Sequence, residues 1–188
     1  MKHEFASLKN HFLIAMPTLT QGFFAHSVTF LCEHNEEGAM GIVINKPMGL
    51  DLSEVLQHLE IEDIQLDLDE SVMAGGPVQT DRGFVLHTPT ERDWDSTVQI
   101  SEQIALTTSR DVLEAIAHQQ GPAASLVALG YAGWSAGQLE EELVANAWLT
   151  LPAHSDILFR TPVEQRLGAA AAKLGIDLAL LVPVAGHA

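Results

Sequence analysis

Residues 130–143 read GYAGWSAGQLEEEL, and within them Gly133-Trp134-Ser135-Ala136-Gly137 spells G-x-S-x-G. That spelling suits acyl transfer: a serine on a strand-to-helix turn, flanked by glycines that let a substrate approach. Asp177 and His187 follow in the chain order of a hydrolase triad. A second reading assigns the same letters to a helix start. Ser135 as N-cap puts Gln138 at N3, completing a capping box, and makes Trp134 and Leu139 the ends of a hydrophobic staple. Glu140, Glu141 and Glu142 then fall in the first turns, where the helix dipole favours negative charge. The two readings exclude each other, because a capping hydroxyl turns back to backbone N–H groups and a nucleophile faces outward. The cap is preferred. It accounts for every letter, His187 is the penultimate residue, where chains fray, and the strands upstream look like hairpins rather than a parallel hydrolase sheet.

Cys32 and His34 stand two apart on a β-rich segment, which predicts a shared strand face and, as the sharper reading, a thiolate–imidazole pair. A buried cysteine with His34 beginning a turn is the preferred reading. Neither H-x₃₋₅-H nor H-E-x-x-H occurs, so no metal site and no cofactor are expected. Gly75-Gly76-Pro77 matches no phosphate loop and predicts a tight bend or bulge. The acids from Glu60 to Glu70, Asp67 and Asp69 included, lack EF-hand spacing and read as a solvated connection.

Nine Lys and Arg against 25 Asp and Glu leave a net charge of −16. No two basic residues are adjacent, so most of the surface would repel a phosphate backbone, and direct nucleic-acid contact is not expected. Residues 109–128 fail as a helix-turn-helix, because PAASLVALGYAG holds no base-reading side chain and reads as a strand. One cysteine suits a reducing compartment, and no apolar run is long enough to span a membrane, so a cytoplasmic location is expected.

The elements that must position these residues follow from local pattern. SVTFLCEH, the turn NEEG and AMGIVIN form a hairpin. Asp51 and Glu54 form a capping box before an apolar face of Val55, Leu56 and Leu59. SVMAGGPV and FVLHT suggest a second hairpin around residues 79–83, and residues 97–107 look extended. SRDVLEAIAHQ is a helix ended by Gly121-Pro122, SLVALGYA a central strand, GQLEEELVANA a helix and WLTLPA a strand. After a short segment, DILFR, comes a last helix, with Thr161 as N-cap, Pro162 at N1 and Gly175 as its stop. Hairpins first and alternating helices and strands later make an α+β fold.

Four blocks, FLIAMPTL, SVTFLCEHNEEGAMGIVINKP, AGGPVQTDRGFVLH and GYAGWSAGQLEEELVANAWL, in this order and at these distances, resemble the AlgH/YqgE family of bacterial proteins. The resemblance spans nearly the whole chain and implies one domain over residues 1–188. It implies antiparallel hairpins in a bifurcated sheet forming a pseudo-barrel, packed with about four helices. The family's block resembles G-Y-[AS]-G-W-x-x-G-Q-L-E, which leaves Ser135 on a varying position. The resemblance brings a transcriptional-regulator label and no catalytic residues. Among the positions that match its motifs, His34, Asn45, Gly75, Gly76, Tyr131, Trp134, Gln138 and Asn146 are the candidates for binding a ligand. The expected function is a non-enzymatic regulatory or binding protein acting through a protein partner or small ligand. A serine hydrolase using Ser135 is the alternative.

Overall fold

In the computed structural model, residues 4–64 and 70–181 are described. The sheet is organised by one strand, β9 (Ser125–Ser135). On one edge β9 pairs antiparallel with β6 (Val78–His87). Its other edge is shared. Ala132–Ser135 pair antiparallel with β3 (Gly38–Val43), and Ala128 and Leu129 pair in parallel with β5 (Ser71–Ala74). The sheet therefore divides at Gly130, as the expected bifurcation requires.

One branch continues from β3 to β2 (Val28–Asn35), β1 (His11–Ala15) and β10 (Trp148–Pro152). The other is β5 with β4 (Pro47–Asp51). Beyond β6 lie β8 (Ala105–Thr107) and β7 (Thr97–Gln99). The β5–β9 pair is the one parallel pairing among these, and the sheet curls into a half-barrel.

Glycine makes the division possible. Gly130 has φ +78°, and a Cβ there would sit 2.4 Å from Gly76 O. A Cβ on Gly76 would lie 1.9 Å from the carbonyl carbon of Tyr131. Gly75 donates its N–H to Leu129 O and accepts from Val43 N, both at 2.8 Å, so its peptide groups bridge the two branches. The expected bend or bulge is thus a crossing of backbone over backbone that no side chain fits. The expected second hairpin is corrected by the same contact. β5 and β6 lie on opposite edges of β9 and do not pair with each other.

Both faces of the sheet are covered. In β1, Phe12 and Ile14 enter the main core, while Leu13 and Ala15 enter a second cluster on the other face. All four are 3% exposed or less, which is why this strand reads as an uninterrupted apolar run. Each fully buried Leu or Phe contributes roughly 1.5–3 kcal/mol. The helices α4 (Ser155–Phe159) and α5 (Arg166–Lys173) cover the main core with Leu158 and Ala170. The helices α1 (Leu52–His58) and α2 (Arg110–Ala117) pack Leu56 and Val112 against Val72, Val85 and Val127.

Among the described residues there are five α-helices, the four expected from sequence and α4, into which DILFR closes. The Asp51–Glu54 capping box is present with both hydrogen bonds. The last helix starts later than expected. Thr161 bonds back to Asp156 O, residues Val163–Gln165 form a 3-10 turn, and Gln165 occupies the N-cap position of α5 without a side-chain cap. Gly175, at φ +69°, ends it as expected. Among the described residues no helix is long and apolar enough to cross a membrane.

Candidate functional site

The G-x-S-x-G segment is the last turn of β9 and the step into α3 (Gln138–Val144). Ser135 is not the N-cap. That position is Gly137, at φ +79°, and it makes no side-chain cap. Half of the expected box survives, since Gln138 Oε1 accepts the Ser135 backbone N–H at 3.0 Å. The Ser135 hydroxyl donates to the same oxygen at 3.3 Å. The turn is two residues longer than a capping serine allows, so the hydroxyl reaches the Gln138 side chain instead of the helix amides. Ser135 is exposed, and among the described residues no imidazole or carboxylate bonds to its hydroxyl. Asp177 accepts from Ala179 N, and His187 lies outside the described residues.

α3 is bound to the sheet by two acids on its inner side. His34 Nδ1 accepts the Leu8 N–H at 2.8 Å, which leaves Nε2–H to donate to Glu140 Oε1 at 2.6 Å. Burial alone would raise the Glu140 carboxyl. The backbone N–H of Glu140 and the His34 hydrogen bond outweigh it and hold the carboxyl below its usual range. Glu142 Oε2 accepts two indole N–H groups, from Trp134 at 2.7 Å and Trp148 at 3.0 Å. Phe24 packs edge-on against Trp148 and tilted over Trp134. Asn146, at φ +58°, is the left-handed stop of α3. Its N–H bonds to Leu143 O and the Ala147 N–H to Glu142 O, a Schellman closure.

The expected Cys32–His34 shared face is corrected. Leu31 pairs with Gly41 and Glu33 with Met40, so Cys32 is the extra residue of a β-bulge. Cys32 joins the main core, where burial pushes its thiol pKa up, while His34 turns to α3.

Of the eight candidates, Tyr131 and Trp134 meet at a surface groove. Its larger lobe, about 500 Å³, has Phe84, Tyr131 and Met40 on its walls, with Arg82 and Gln79 at one side. Phe84 and Tyr131 pack edge to face at 5.5 Å, and Arg82 stands 5.4 Å over the Phe84 ring. A smaller lobe, about 220 Å³, shares Ala39, Met40 and Trp134 and is bordered by Glu33 and Glu37. The groove thus has an apolar middle, a basic end and an acidic end.

The other six candidates lie elsewhere. His34 and Gln138 hold the α3 junction. Asn45 ties the start of β2, accepting from Val28 N and donating to His26 O. Gly75 and Gly76 make the branch point, and Asn146 ends α3. Sequence reasoning missed Met40, Gln79, Arg82 and Phe84. Residues 79–83 read as a turn, and only the pairing of β6 with a strand about 50 residues downstream turns Arg82 and Phe84 toward Tyr131. Among the described residues no three His, Cys, Asp or Glu side chains could hold a metal ion, and Asp67 and Asp69 lie outside them.

The AlgH-like family model matches residues 12–179. The chain belongs to the AlgH-like family. It is 58% identical over 183 residues to a UPF0301 protein of Thioalkalivibrio sulfidiphilus, covering 97% of this chain and 98% of that one. To the YqgE protein of Salmonella newport it is 52% identical over 187 residues, covering 97% and 100%. The solution structure of AlgH from Pseudomonas aeruginosa superposes with TM-score 0.79 at 55% identity, covering 100% of both chains. A crystal structure of a Corynebacterium diphtheriae protein shares the fold at TM-score 0.74 and 18% identity, covering 97% of this chain and 94% of that one. The half-barrel and its branched sheet are therefore the AlgH architecture.

Proposed function

We propose that this AlgH-like chain is a non-enzymatic regulatory binding protein that works through a protein partner or small ligand held in the groove beside Tyr131. The observation that carries this reading is the groove itself. It is a concave surface of about 500 Å³ with an aromatic wall and a few placed polar groups, the usual composition of a ligand site. Arg82 at one end suits an anionic group, and Glu33 and Glu37 at the other suit a donor or cation. Tyr131, Phe84 and Met40 suit an apolar body between them.

The charge balance of −16 argues that any regulatory effect is indirect rather than through DNA contact. The single cysteine suits a protein working in the cytoplasm. A fragment set of aromatic acids and amino acids, titrated into ¹⁵N-labelled protein, tests the reading. Saturable shifts at Gly133, Tyr131 and Gln79 that vanish in Arg82→Ala or Tyr131→Ala are expected. No saturable shifts at the groove would sink it.

A further inference from the structure

One row of residues crosses the floor of the Tyr131 groove. Glu33 pairs with Met40 and Met40 with Gly133, and directly opposed residues on neighbouring strands face the same way. Tyr131, two residues before Gly133 on β9, shares that face and pairs with the exposed Val78. Gly133 is exposed, and a Cβ there would meet only Tyr131 Cε2, at 3.4 Å. The fold therefore has room for a side chain at Gly133, which it lacks at Gly76. The missing side chain leaves bare backbone between Met40 and Tyr131, on which a flat ring can lie.

The two ends carry charge without an opposite partner. Arg82 donates to Gln79 Oε1 at 3.2 Å and to the Thr108 hydroxyl at 3.3 Å. Both acceptors are neutral, and among the described residues no carboxylate lies within 4 Å of the guanidinium. These bonds and the Phe84 ring hold the fork in place, so little further ordering is needed for it to take a carboxylate. At the other end Glu33 accepts from Asn35 Nδ2 at 3.2 Å. Neither Glu33 nor Glu37 has a cation within 4 Å among the described residues.

The ends stand three strand spacings apart, from β2 to β6, or about 14 Å along the sheet. A free amino acid carries its ammonium and carboxylate on one carbon and cannot meet both. An extended chain can. It rises about 3.3 Å per residue and turns every second side chain to one face, so residues i and i+4 stand about 13 Å apart with i+2 between them.

We infer that the groove docks an extended segment of a partner protein, with a basic side chain at one end, an aromatic one two residues along and an acidic one two residues further. The basic group meets Glu33 and Glu37, the ring lies on Gly133 between Met40 and Tyr131, and the carboxylate pairs with Arg82. This rests on the reading of the groove as the binding site and names its occupant.

Calorimetric titration of the full chain with five-residue peptides at physiological salt tests it. The peptides are acetylated and amidated, so only side chains carry charge. One reads lysine, serine, phenylalanine, serine, glutamate; the other has the reverse order, because either chain direction suits the row. Saturable binding of one order is expected. Glutamine in place of its lysine or its glutamate should weaken binding about fivefold. Gly133→Val should abolish binding while unfolding stays cooperative. Arg82→Glu should weaken it, and a peptide with lysine at both ends should restore it. Binding that Gly133→Val and Arg82→Glu leave unchanged overturns the inference, because the peptide is then held elsewhere. No saturable binding of either order also overturns it. If aromatic acids still shift the groove amides, the groove is a small-ligand site and the proposed function stands; if they do not, both readings fail. A dimer of the chain alone in sedimentation, broken by Gly133→Val, would put a second copy in the groove and overturn it too.

Discussion

Trp134, at the end of β9, and Trp148, at the start of β10, donate their indole N–H groups to one oxygen of Glu142. The two strands do not pair with each other, so this carboxylate on α3, together with the edge-to-face packing of the two rings and the packing of Phe24 on both, joins them at that end of the sheet. Glu142→Ala leaves two largely buried donors without an acceptor and should cost about 2 kcal/mol in urea unfolding. Trp148→Phe should cost less in the Glu142→Ala background than in the parent chain, because the bond it removes is already gone. Strict additivity in that cycle would mean the shared carboxylate contributes nothing.

Ser135 and Gly137 separate the two readings of G-x-S-x-G. The Ser135 hydroxyl is exposed and reaches only the Gln138 side chain, so Ser135→Ala should change stability by no more than about 0.5 kcal/mol. Gly137→Ala should cost about 1 kcal/mol despite open space around its Cβ, because φ is +79°. A fluorophosphonate probe read by intact mass should leave the chain unmodified. An adduct lost in Ser135→Ala would instead demonstrate an activated serine.

Gly76 and Gly49 contrast a steric glycine with a merely conformational one. A Cβ on Gly76 would lie 2.0 Å from Tyr131 O, against backbone that cannot move without opening the branch point. Gly49, at φ +80°, has nothing within 4 Å of that position. Gly76→Ala should fail to give a cooperative unfolding transition, whereas Gly49→Ala should lose only about 1 kcal/mol. Comparable midpoints for the two variants would contradict the close crossing.

The same contrast explains what could be read from sequence. The Asp51 capping box, the β2–β3 hairpin and the stop at Gly175 are written in residues within a few positions of one another. The expected β5–β6 hairpin failed because β9 supplies the partner for both strands. The bulge at Cys32 leaves no local mark, yet it sends Cys32 and His34 to different faces. Ser135 misled because a strand that continues to residue 135 moves the helix cap to Gly137. Tyr131 and Trp134 stood out within a motif, but Arg82 and Phe84 are brought beside Tyr131 by the pairing of β6 with a strand far along the chain. A scattered arginine looks the same in sequence whether it is solvated or buried.

His87 should make stability fall in mild acid. It is 1% exposed and sits between Thr88 O, 2.8 Å from Nδ1, and the Thr107 hydroxyl, 2.7 Å from Nε2. Nδ1–H donates to the carbonyl, so Nε2 accepts from Thr107 and the ring is neutral. Burial lowers its pKa below the ordinary 6.5, and the Thr88 carbonyl and the charge of Asp93 only partly offset this. The folded state therefore resists protonation. Its contribution to stability is full above pH 6.5. As pH falls below that value the unfolded chain takes up a proton that the folded chain does not, and the contribution is lost until the folded pKa is reached. Urea midpoints between pH 7.5 and 5.5 should fall more steeply in the parent than in His87→Asn, by up to about 1.4 kcal/mol per pH unit. His87→Asn also disturbs the Thr107 bond, so its stability is lower at every pH, and the slope rather than the level carries the comparison. Equal slopes would mean that His87 is not held neutral by the fold.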